Sequence, residues 1–197
     1  MKIVYKKTKE IDDDNMIHGK NYAFFHRPLN ATIGPQWYLR VVGEATRSID
    51  IWDPYFNQDT NNDDSRLFNY VKHPVKIKFL MAKSAVTFIN AFNSWENTIS
   101  SYFPKGLKVG SEVELGYIDD NGSDVLNSKW KCHDRFLIVD EKRMFLVGSS
   151  LGYHLRSINS TGMYELQDKE DKDIVKEMFG KYWQFAQSHN QVKTVTL

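Results

Sequence analysis

Residues 131–150 read KCHDRFLIVDEKRMFLVGSS, and this stretch decides the fold. Two apolar runs, Phe136–Val139 and Met144–Val147, are separated by the charged residues Asp140 to Arg143. Four-residue apolar runs bounded by polar turns suit strands buried on both faces. Outward from them, Ser48–Phe56 (SIDIWDPYF) and Ser111–Ile118 also read as strands, as does Val75–Ala82, which alternates at Val75, Ile77, Phe79 and Met81. Helical patterns lie between. Gly34-Pro35 opens one with Tyr38, Val41, Val42 and Ala45 on one face, and Ser84 starts another carrying Phe88, Phe92, Trp95 and Ile99. Asp168 caps a last helix, with Ile174, Val175, Met178, Phe179, Tyr182 and Trp183 as its apolar stripe. Strands alternating with helices predict an α/β fold, one mixed β-sheet sandwiched between helices. Residues 1–34 are expected to be an arm or leading strand, 35–190 the domain proper and 191–197 a tail.

The same stretch concentrates the chemistry. His133 precedes Arg135 by two positions, so in a strand both side chains leave the same face. Asp140 follows across the first buried run, and the second run delivers Gly148-Ser149-Ser150. An imidazole, a guanidinium, a carboxylate and small hydroxyls are thereby expected at adjacent strand ends, a recipe for handling phosphate: the cation grips oxygens, hydroxyls donate, and histidine attacks phosphorus or moves a proton. Lys129, Lys131, Lys142 and Arg143 add a local basic patch.

Composition limits the partners. The 197 residues carry 26 Lys and Arg against 25 Asp and Glu, a net charge of +1, so bulk charge does not hold this chain to nucleic acid and any anion must be met locally. A single cysteine, Cys132, excludes an intrachain disulfide scaffold and a Cys-rich zinc module. The N-terminal residues turn charged after two apolar positions and no run of about 18 apolar residues occurs, so a cytoplasmic protein without a membrane partner is expected.

The 133–150 core resembles the phospholipase D superfamily, whose signature is His-x-Lys, four residues, Asp, then Gly-Ser about seven residues on. His133, Arg135 and Asp140 match its spacing, with Arg in the Lys slot. Gly148-Ser149 falls one residue late, a difference that a tight turn at Glu141–Arg143 would absorb. Ala45–Phe56 looks like the helix-to-strand lead-in of these domains, and Met163–Leu166 with the following helix like their acidic strand and closing helix. The resemblance implies a metal-independent phosphodiesterase with His133, Arg135, Asp140 and Glu165 as catalytic residues, and with phosphate bound by Arg135, Ser149, Ser150 and Lys131. It implies no cofactor. Two motifs meet across a two-fold axis in that family, one histidine forming a phosphohistidine and the other protonating the leaving oxygen, with Glu165 the position that orients the histidine. This chain carries one motif; His18-Gly19-Lys20 lacks the Asp and the Gly-Ser. A homodimer is therefore implied, acting as a nuclease, with DNA ahead of RNA as substrate.

Two departures favour other readings. Leu151 stands in the slot where the family places Asn, and Arg is not interchangeable with Lys. A catalytically degenerate module that binds nucleic acid or mediates assembly is the alternative, and a lipid phosphodiesterase a weaker one. Residue by residue, His133 could be structural, Arg135 could pair with Asp140, Glu165 could be a solvated strand residue, Ser149 and Ser150 could end a strand, and Asp53 could belong to a turn.

Overall fold

The computed structural model describes residues 16–18, 22–25, 40–54, 71–82, 107–118, 134–148 and 161–196. They form nine strands: β1 (Met16–His18), β2 (Tyr22–Phe25), β3 (Ser48–Trp52), β4 (Lys76–Ala82), β5 (Glu112–Ile118), β6 (Arg135–Val139), β7 (Arg143–Val147), β8 (Thr161–Glu165) and β9 (Val192–Thr196). One helix, α1 (Lys169–Ser188), is described in full. All nine strands join a single sheet in the order β1-β2-β8-β7-β6-β3-β4-β5-β9. β3, β4 and β5 run parallel and the remaining pairs are antiparallel, so the sheet is mixed, as the alternating pattern predicted.

Both faces of the sheet's centre are buried. On one, Ile49, Ile51, Ile77, Phe79, Val113 and Leu115 are each at most 1% exposed. This is why the alternation of β4 gives way to the continuous apolar run Phe79–Ala82, where both faces are covered. Val41, Val42 and Ala45, in and just after the helical residues 40–43, join the buried core. The expected helix from Ser84 lies outside the described residues.

The other face is covered by α1. Asp168 caps it as expected, accepting from the backbone N–H of Glu170 at 2.8 Å and of Asp171 at 3.4 Å, and acidic Glu170 and Asp171 suit the positive end of the helix dipole. Val175, Phe179, Tyr182, Trp183 and Ala186 pack on Trp52, Leu80, Ile118, Ile138 and Met144. Each large side chain so buried contributes roughly 1.5–3 kcal/mol. Ile174, expected in this stripe, is instead 53% exposed. Trp183 fits because β5 carries Gly116 beneath it: a Cβ there would lie 2.8 Å from Trp183 Cζ3.

Residues 191–197, expected as a tail, contain a paired strand. Asn190 takes a left-handed φ of 55° and returns the chain, with Gln191 N–H donating to Ala186 O at 2.8 Å. The β-branched series in Val192–Thr196 then pairs antiparallel with β5. At the opposite edge the 1–34 segment supplies the hairpin-like pair β1 and β2, which joins the sheet through β8.

Candidate active site

The chain ends β3 at Trp52, but the ladder continues: Asp53 N–H donates to Leu80 O and Ala82 N–H to Pro54 O. Asp53 is therefore still positioned as a strand residue, on the face of Ile49 and Ile51. Antiparallel pairing of β3 with β6 sets Ile51 against Leu137, so the next same-face residues outward are Asp53 and Arg135. Their side chains meet, with Arg135 Nε 3.6 Å from Asp53 Oδ1. Asp53 is fully buried and Arg135 has 21% of its side chain exposed. A buried carboxylate in this position holds the arginine at this end of the sheet while part of its side chain stays exposed.

Pairing of β6 with β7 places Val147 opposite Arg135, so Gly148 emerges at the same end of the sheet. Its N–H donates to Gly162 O at 2.8 Å, tying that end to β8. Arg135, Asp53 and Gly148 are thus gathered at one end. His133, Lys131, Ser149 and Ser150 lie outside the described residues.

Asp140 does not join this end. Five residues at about 3.3 Å each set it roughly 16 Å from Arg135 along β6. The alternative reading in which Arg135 pairs with Asp140 is therefore not met. Asp140 opens the β6–β7 turn, where Asp140 and Glu141 have φ of 53° and 57° and Lys142 N–H donates to Val139 O at 3.0 Å. Positive φ at both central residues is the type I′ pattern that matches strand twist. The carboxylate accepts from the backbone N–H of Thr46, Arg47 and Ser48 at 3.0, 2.7 and 3.0 Å, and from Thr46 Oγ1 at 2.8 Å. Partial desolvation alone would raise its pKa, but these donors hold it below the usual carboxylate value. Asp140 thereby pins the lead-in to β3 onto the β6–β7 turn.

Glu165 sits level with Phe145 and Leu137, between the two ends. Both of its oxygens are taken by Arg143, from Nε at 2.8 Å and Nη2 at 3.0 Å, and Arg143 also contacts Glu44. Of the expected basic patch, Lys142 and Arg143 lie at the Asp140 turn, away from Arg135, while Lys129 and Lys131 lie outside the described residues. Arg143 in addition stands 5.0 Å over the Phe145 ring. Among the described residues no group of three His, Cys, Asp or Glu side chains is placed to hold a metal ion, and no helix is long and apolar enough to cross a membrane.

Asp53 is the residue that sequence reasoning undervalued. Asp-Pro suggested a turn, yet the period-two series Ile49, Ile51, Asp53 already put its side chain on the buried face.

Solved structures share this fold. NucT from Helicobacter pylori is 14% identical over 83% of this chain and 95% of its own, with a TM-score of 0.53. Phosphatidylserine synthase from Haemophilus influenzae is 13% identical over 90% of this chain, with a TM-score of 0.52. Both are phospholipase D relatives. The chain has the phospholipase D fold. Nuc from Salmonella typhimurium, a phospholipase D family member, matches at 13% identity over 82% of this chain and 90% of its own, with a TM-score of 0.48. The chain spans 39% of the synthase's length, and 54% of that of the archaeal chromatin protein TrmBL2, which it matches at 19% identity with a TM-score of 0.47. No family model and no curated protein sequence matches.

Proposed function

We propose that this chain is a metal-independent phosphodiesterase of the phospholipase D type, acting on nucleic acid, DNA in preference to RNA, at a site shared by two copies. The observation that carries the reading is the end of β6. There Arg135 is held beside the fully buried Asp53 with part of its side chain exposed, two residues after His133 in sequence and at the same end of the sheet as Gly148. A fixed, partly exposed guanidinium grips phosphate oxygens bidentately. His133 is the nucleophile in this reading. It attacks phosphorus and displaces the leaving oxygen, which takes its proton from His133 of the second copy; water then releases the phosphate. Ser149, Ser150 and Lys131 supply further phosphate contacts. Asp140 and Glu165 act on the framework, since their carboxylates are occupied by the Thr46–Ser48 amides and by Arg143.

Purified protein incubated with DNA and with RNA in EDTA, beside His133→Ala and Arg135→Ala, tests this. Cleavage that persists in EDTA and is abolished by His133→Ala is the expected result. Cleavage that needs a divalent cation, or survives His133→Ala, overturns it.

A second reading is favoured by the Glu165–Arg143 fork. The acidic position that would orient the histidine is engaged through both oxygens, and Leu151 occupies the Asn slot. On this reading the chain binds nucleic acid without turnover. Salt-sensitive DNA binding by a protein that never forms a phosphohistidine would establish it.

A further inference from the structure

Away from Arg135, on the α1 face of the sheet, a cavity of about 320 Å³ opens between the flank of α1 and a charged strip of strands. The strip follows from register. Asp50 of β3 pairs with Lys78 of β4, and Lys78 with Glu114 of β5, one residue pair below the apolar row Trp52–Leu80–Gly116 that α1 covers. Asp50 is 91% buried, since only 9% of it is exposed. It lines this cavity, and among the described residues its carboxylate makes no hydrogen bond or ion pair.

The other charges around it are committed. Lys76 lies 2.6 Å from Glu112 and 3.0 Å from Glu114. Lys176 lies 2.5 Å from Glu141. Lys78, the strand neighbour of Asp50, places its ammonium over the Trp183 ring at 5.2 Å rather than within ion-pair distance of the carboxylate. Three lysines and three carboxylates line the cavity, and among these carboxylates Asp50 is the one without a direct partner. Burial raises the pKa of Asp50 to about 6, against Lys78 and Lys76, which lower it, and with Glu141 and Glu114, which raise it. A carboxylate that ionises near neutrality with nothing bonded to it destabilises the fold, and side chains kept at such a cost are candidates for ligand contact.

We propose that this cavity binds a small organic monocation through a primary ammonium or guanidinium head, with Asp50 as its carboxylate partner. A cationic head with two or three N–H donors gives the Asp50 carboxylate the direct charge-assisted hydrogen bonds that the surrounding lysines, engaged elsewhere, do not give it. The apolar wall of Phe179 and Trp183 accommodates a short alkyl stem. This site stands apart from the proposed phosphodiesterase centre and does not depend on it.

The full-length protein is titrated with n-butylammonium and with methylguanidinium chloride at pH 7.5, followed by amide chemical shifts, with tetramethylammonium as a control that has charge but no donor. Saturable shifts centred on Asp50, Lys78 and Trp183 are expected, with about tenfold weaker affinity in Asp50→Asn and about threefold tighter affinity in Lys78→Gln, which removes a competing cation. Affinity is expected to fall from pH 7.5 to pH 5 in the wild type as protons compete for Asp50. Equal affinity in Asp50→Asn, equal binding of tetramethylammonium, or no saturable shift up to about 20 mM would each overturn the proposal.

Discussion

Replacing Asp50 by Asn removes an ionisable group whose charge the fold disfavours. In the unfolded chain an aspartate titrates near 3.8, and in the fold burial lifts Asp50 to about 6. The difference, about 2 pH units at about 1.36 kcal/mol each, amounts to roughly 3 kcal/mol. The sign follows from proton binding. Between pH 4 and 6 the folded state holds this proton more tightly than the unfolded chain, so protonation favours folding. The penalty is absent below pH 4, grows as pH rises through 6, and is complete near pH 7. Asp50→Asn is therefore expected to stabilise the free protein by up to about 3 kcal/mol at pH 7.5 and by close to nothing at pH 4. Urea unfolding followed by tryptophan fluorescence, run from pH 4 to 8 on both proteins, measures the difference and cancels the titration of every other group. A stabilisation that does not change with pH, or a loss of stability at pH 7.5, would refute the reasoning.

Gly116→Ala places a Cβ 2.8 Å from Trp183 Cζ3, and overpacking of this kind is expected to cost about 1–3 kcal/mol; an unchanged Tm would show that α1 shifts freely over β5. Asp140→Ala strips the Thr46, Arg47 and Ser48 amides of their acceptor, with an expected loss of about 2–3 kcal/mol in urea unfolding. Because the pKa of Asp140 is depressed in the fold, its stabilisation is present above pH 4 and is lost as pH falls through the lowered value; acid unfolding of Asp140→Ala should lack this component. A double-mutant cycle on Arg143→Met and Glu165→Gln should give a coupling of about 1–2 kcal/mol for the forked pair, and a coupling near zero would mean that Glu165 is available to the histidine.

Much of the fold is legible in the sequence because its signals are local. The apolar runs 136–139 and 144–147, the alternation in 75–82 and the Asp168 cap each report one element, and each element is found. The C-terminal strand was obscured because Val192–Thr196 gains its identity from an edge of β5 that no local pattern reveals. The site was less legible for the same reason. Spacing gives the face of a side chain but not the end of the sheet it reaches, so the sequence groups Asp140 with Arg135 although a whole strand separates them. Arg143 read as a surface cation, yet register sets it beside Glu165 and Glu44. Asp53 and Arg135 lie 82 positions apart and meet only through the β3–β6 pairing.

The histidine chemistry itself offers the most direct measurement. The protein is mixed with DNA in EDTA, quenched in base during turnover, and intact chains are weighed for an acid-labile phosphoryl adduct mapped to His133. A shared site in which one histidine attacks while the other protonates predicts an adduct on His133 at no more than one per two chains, and none in His133→Ala. DNA cleavage without any adduct on His133, or an adduct on every chain, would contradict that chemistry.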